Sequence, residues 1–224
     1  MVESSVRKIA NDRASLYHWF AMAFFAPPTM EQVQDMQTGK AASLLNALQA
    51  CSGAEIGIQS MRSLLASGGT AIVTAGLGVA YARLFYGAGG HDTASLYHSV
   101  YSSEYGLLCQ EATAEMERVL RQHRLCLDGA IKEPSDHLSV QLEVMSQLAL
   151  RFSETSEQES DRLPGLRTEQ AAFLSDQLLS WLPDFSLRVI DLDAQGFYAG
   201  LASVLLCMAQ QDLAYLTDPQ GEGA

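Results

Sequence analysis

Residues 131–152 read IKEPSDHLSVQLEVMSQLALRF. Leu138, Leu142, Met145, Ala149 and Phe152 recur there at spacings of 4, 3, 4 and 3, the stripe of one helical face. Just before them, Glu133, Pro134, Asp136 and His137 crowd into five positions. Proline suits the first turn of a helix, where its missing N–H is not needed and its φ is already helical. Ser135 or Asp136 is the expected cap for the free N–H groups of that turn, and an acidic residue there suits the helix dipole. Local physics thus accounts for the proline and one cap. It leaves open whether Glu133, Asp136 and His137 together hold a structure, contact a ligand or carry out catalysis.

The same period continues outward in both directions. Leu16, Phe20, Ala23 and Phe24 share a face that Pro27 and Pro28 end. From Met30, a segment carries Val33, Met36, Leu44, Leu45 and Leu48, and Gly39 argues against its continuity. A short helix holds Ile58, Met61 and Leu65. The next holds Val73, Leu77, Ala80, Tyr81 and Leu84, with Gly76 and Gly78 inside it. Each glycine costs about 1 kcal/mol against alanine in a helix interior, which predicts close packing against another helix as compensation. Residues 87–99 read as a loop, 104–124 as a helix and 153–165 as an exposed acidic loop. Phe173 or Leu174, Leu178 and Trp181 mark a helix that Pro183 ends. Phe197, Leu201, Val204, Leu205 and Met208 mark the last one. No stretch alternates with period two and no repeat of solenoid length occurs. The expectation is an all-α, bundle-like fold of about eight to ten helices.

The 224 residues carry a net charge of −12. Residues 1–151 hold 11 basic and 14 acidic side chains, whereas 152–224 hold 3 and 12. Such a surface repels phosphate backbones and excludes nucleic acid as a partner, while it attracts cationic peptides. Cys51, Cys109, Cys126 and Cys207 form no CxxC pair, so a zinc knuckle and a thioredoxin motif are excluded. The N-terminus has no secretory h-region, and the longest apolar run, Leu201 to Ala209, is short for a membrane span. A cytoplasmic protein is expected.

His18, His91, His98, His123 and His137 show neither HxxxH nor HExxH spacing, and no glutamate precedes a histidine by three residues, so metal chemistry is weakly supported. GAGG at 87–90 lacks the lysine of a P-loop and reads as a helix C-cap with Gly87. Tyr81, Leu84 and Phe85 fall on one helical face, and Tyr97, Ser99 and Tyr101 alternate after the loop. Aromatic groups so placed serve an ordinary core or a groove with a wet rim for an apolar peptide.

Taken together, YARLF at 81–85, SVY at 99–101, EPSDHL at 133–138 and FYAGL at 197–201 resemble the TorD/DmsD family of chaperones for molybdenum reductases. SLYHWFAMAFF at 15–25 is similar to that family's first helix, and LLSWLPDF with GFYAGLASVLL to its branch serving trimethylamine N-oxide reductase. The resemblance implies a cytoplasmic chaperone for the twin-arginine signal peptide and apo core of a molybdopterin oxidoreductase. Such a chaperone assists molybdenum cofactor insertion and prevents premature export. It implies a larger N-terminal part, residues 1–130, and a smaller C-terminal part, 131–224, joined by a hinge at the EPSDH motif. It also implies domain-swapped dimers in some members and weak GTP binding in others, with no GTP motif readable here and no cofactor or metal expected. The peptide-contact positions carried over are Tyr81, Leu84, Phe85, Tyr97, Ser99, Glu133, Pro134, Asp136 and His137. Leu96 stands where the family often has proline, which predicts a looser loop before Tyr97. The competing readings are a helical metal-dependent enzyme using Asp136 and His137, and a helical adaptor for another protein.

Overall fold

A computed structural model describes residues 2–49, 51–88, 90, 92–128, 132–155, 157–193 and 196–218. Among them lie eleven α-helices and no strand: α1 (Val2–Phe25), α2 (Met30–Thr38), α3 (Lys40–Leu48), α4 (Glu55–Leu65), α5 (Thr70–Phe85), α6 (His98–Ser102), α7 (Glu111–His123), α8 (Leu138–Glu154), α9 (Leu163–Phe173), α10 (Leu182–Leu192) and α11 (Phe197–Thr217). The all-helical expectation holds, and the helices form two compact units. The first is built from Met1–Phe25, Tyr97–Trp181 and Asp212–Ala224, the second from Ala26–Leu96 and Leu182–Gln211. The expected boundary near residue 131 coincides with none of the four joins between these stretches: it falls inside Tyr97–Trp181 of the first unit, where α8 packs on α1.

In the first unit α8 is the central element. It buries Leu138, Leu142, Met145 and Ala149, the stripe read from the sequence, and also Ser146 and Ser153. The buried hydroxyls are satisfied from α1: Ser146 donates to the Ala14 carbonyl (2.9 Å) and Ser153 to Asn11 Oδ1 (2.9 Å). Ala10, Phe152 and Leu166 join α1, α8 and α9 in an apolar cluster. The segment 153–165, expected as a loop, instead finishes α8, makes a 3₁₀ turn at Glu157–Arg162 and begins α9 with Pro164 in its first turn. Helix α7 begins at Glu111, later than the expected 104.

In the second unit, Thr29 and Gln32 form a capping box on α2. Gly39 does break the segment: both oxygens of Asp35 accept from the first N–H groups of α3, at Lys40 (2.8 Å) and Ala41 (3.2 Å). Helices α4 and α11 cross where glycine meets glycine. A Cβ on Gly57 would lie 2.8 Å from the Gly200 carbonyl oxygen, and one on Gly200 2.4 Å from that of Gly57. Gly76 and Gly78 of α5 behave oppositely: a Cβ at either meets nothing within 4 Å, so the packing expected around them is absent. Pro183 lies in the first turn of α10 and starts a helix rather than ending one. Helix α11 is long and apolar enough to cross a membrane by length and composition, with half of that stretch buried.

Candidate functional site

The EPSDH segment lies in the first unit at the N-terminus of α8. Its cap is His137, whose Nδ1 accepts from the Ser139 N–H (3.1 Å), rather than Ser135 or Asp136. Ser135 is turned away and donates to the Thr113 carbonyl (3.1 Å). Asp136 is wholly buried, and both its oxygens are engaged: Oδ2 accepts from the Ser99 N–H (2.9 Å) and Oδ1 from the Thr113 hydroxyl (2.8 Å). Its backbone carbonyl accepts from the His98 N–H (3.1 Å). Asp136 therefore starts α6 and ties it to α7 and α8. A carboxylate so enclosed and so fully used holds structure together; it presents nothing to a solvent-borne arginine.

Glu133 stands differently. It and Pro134 are half-buried, and the Glu133 carboxylate accepts from the Tyr97 hydroxyl. Tyr97 is fixed three ways. Its backbone pairs with His137 in an isolated antiparallel bridge, its hydroxyl bonds Glu133, and its ring meets the His137 imidazole edge-on at 5.1 Å. The loop expected to be loosened by Leu96 is thus held at its next residue, and Leu96 is itself buried. The cluster brings together Tyr97, Ser99, Glu133, Pro134, Asp136 and His137, and Glu133 is its carboxylate with access to solvent. Burial pushes the His137 imidazole down to about 4, against the opposing pull of Glu133 and Asp136, so the ring is neutral at pH 7. A neutral imidazole whose Nδ1 already accepts a backbone N–H serves as a cap.

Behind this cluster is a buried layer that the sequence reading missed. The His98 ring stacks on Trp181 (5.6 Å, 8°), and Trp181 Nε1–H donates to Gln141 Oε1 (3.0 Å) and to the Gln177 carbonyl (2.9 Å). A π-helical turn at Leu174–Leu178 lies just before this indole in the chain. Spacing marked Trp181 as part of a helix, but it could not pair Trp181 with Gln141 and His98, or Thr113 with Asp136, since these partners lie far apart in the sequence.

Tyr81, Leu84 and Phe85 lie on α5 in the second unit. Tyr81 and Leu84 are fully buried, so neither presents surface to a ligand. Tyr81 packs edge-on against Phe85 (4.8 Å), Tyr86 (5.3 Å) and Tyr198 (5.8 Å), and Phe85 stacks on Phe185 (6.3 Å). The Tyr198 hydroxyl donates to the Leu77 carbonyl (3.2 Å). Phe85 is half-buried, and Tyr86, which the reading passed over, is 64% exposed. Gly87 follows the helix at φ +70, the left-handed residue expected after a helix end. Among the described residues, no group of three or more His, Cys, Asp or Glu side chains could hold a metal ion.

Residues 34–186 match the family model described as nitrate reductase delta subunit. The chain is 30% identical over 205 residues to the chaperone protein TorD of Vibrio atlanticus (strain LGP32), covering 91% of this chain and 94% of that protein. It is 30% identical over 212 residues to the chaperone protein TorD of Psychrobacter sp. (strain PRwf-1), covering 92% of each. A shorter match, 36% over 121 residues, covers 54% of this chain and 55% of the chaperone protein TorD of Vibrio vulnificus (strain YJ016).

Proposed function

Because this chain belongs to the TorD family of chaperones, we propose that it matures a molybdoenzyme by binding the enzyme's twin-arginine signal peptide and apo form. The client is a molybdopterin oxidoreductase of the trimethylamine N-oxide or dimethyl sulfoxide reductase type. The chaperone holds it in the cytoplasm until the molybdenum cofactor is inserted, and so prevents premature export. The relatives are chaperones, which makes the chain a binding protein and not an enzyme. The reading requires no nucleotide or metal of its own.

The observation that carries the residue-level reading is the unequal standing of the two motif carboxylates. Asp136 is enclosed and saturated, whereas Glu133 keeps access to solvent on a support fixed by Tyr97 and His137. Glu133 is the group that meets a leader arginine, through a charge-assisted bond. Asp136 sets the position of that support. A net charge of −12 draws the cationic leader in.

Calorimetry with a synthetic twin-arginine leader tests this. Glu133→Gln keeps an acceptor for Tyr97 and removes the charge, so it should weaken binding roughly tenfold or more, with melting unchanged. Asp136→Asn should instead lower stability by about 1–3 kcal/mol, because one buried donor loses its acceptor. Unchanged affinity in Glu133→Gln contradicts the assignment.

A further inference from the structure

The burial of Tyr81 and Leu84 leaves the apolar part of a leader without the surface first expected for it. The first unit offers another. A cavity of about 500 Å³ opens between the C-terminal half of α1, the end of α7 with the loop after it, and the first turns of α8. Its floor is apolar, with Leu120, Val140 and Val144 buried, and Met22 and Phe25 stand at its rim, 45% and 39% exposed. A methionine and a phenylalanine left in solvent beside an apolar floor form an adaptable surface for apolar side chains.

Two features point to a peptide as the occupant. Ser139 lines the cavity and is 5% exposed, and its hydroxyl has no hydrogen-bond partner. A buried hydroxyl without a partner is costly, and a peptide backbone carbonyl would accept from it. The formal charge on the lining is negative. Glu143 lies at the edge, paired with His18 Nδ1 (2.8 Å), and Gln147 also donates to it (2.9 Å). That edge suits an apolar segment flanked by basic residues and disfavours an acidic one. The cavity also starts at the first turn of α8, just past the cap that fixes Glu133.

We infer that this groove receives the apolar segment of the leader, with the Ser139 hydroxyl donating to its backbone. The inference rests on the leader-binding reading above.

Two native cysteines provide the test, because Cys126 is exposed and lines the groove whereas Cys109 is exposed and does not. Maleimide labelling of the full chain is followed with and without a twin-arginine leader peptide, whose binding is measured separately by calorimetry. At a leader concentration about 100 times Kd, labelling at Cys126 should slow about 100-fold while Cys109 is unchanged. Ser139→Ala should weaken the leader roughly 2–10-fold and leave thermal stability equal or slightly higher, since no native bond is lost. A leader that binds while Cys126 reacts at its free rate overturns the groove and spares the leader reading. A leader that gives no binding heat to the wild-type chain overturns both. Protection of Cys126 without leader, growing with protein concentration, makes the groove a contact between copies and overturns the inference.

Discussion

His137 is a titratable side chain whose burial has a direct thermodynamic consequence. The folded protein holds its imidazole at about 4, below the ordinary 6.5, and burial is the main cause. Between those pH values the unfolded chain takes up a proton that the folded one refuses, so stability is full above 6.5 and falls as pH drops toward 4. From pH 7 to pH 5 the loss from this residue is about 2 kcal/mol. Burial lowers His98 and His123 as well, in the same sense. His137→Asn keeps a capping oxygen and removes the titration, so its denaturation midpoint should fall less than that of the wild type between pH 7 and pH 5. Equal pH dependence in both proteins would show that the ring does not titrate as its burial requires. The motif's residue types announced a helix start and a polar cluster, but not which residue does which job. Serine and aspartate are better caps by type than histidine. They are drawn away because Thr113 and Ser99, 23 and 37 residues before Asp136, use the aspartate. No local pattern encodes those partners.

At the scale of elements, the glycines separate what periodicity reveals from what it conceals. Helical stripes were legible because an amphipathic helix writes its buried face into the spacing. Helix crossings were not, because a glycine reads the same whether it admits a neighbouring backbone or faces open space. Gly57 and Gly200 admit one another's helices, whereas Gly76 and Gly78 face open space. Alanine at position 76 or 78 should therefore stabilise by about 0.5–1 kcal/mol, through helix propensity alone. Alanine at position 57 or 200 should destabilise, by about 1–3 kcal/mol, because the Cβ would press on a carbonyl oxygen. Thermal melts of the four single variants check the contrast, and a destabilised Gly76→Ala would reveal a packing partner for α5. Pro183 and Pro164 teach a similar lesson. Proline marks a helix boundary, and only the chain's path decides whether a helix ends or begins there.

At the scale of the whole molecule, chain order and spatial grouping part company. The first unit draws on three separate stretches of chain, and its last stretch begins within the end of α11. That end is fastened by a buried ion pair: Arg13 donates to both oxygens of Asp212 (2.5 and 2.9 Å), to which the Tyr17 hydroxyl also donates (2.7 Å). Arg13 and Asp212 are 199 residues apart, beyond the reach of any sequence pattern. The acidic balance, by contrast, was legible from composition alone. Under the proposed function it is the property of the whole molecule that draws in a basic leader, and that attraction should weaken with added salt. The central claim is that a leader arginine meets the Glu133 carboxylate. A calorimetric double-mutant cycle tests it most directly, combining Glu133→Gln with a leader in which both arginines are replaced by glutamine. The account predicts a coupling of about 1 kcal/mol or more, so that the second change matters little once the first is made. Strictly additive effects, or a wild-type chain that binds both leaders equally, would contradict it.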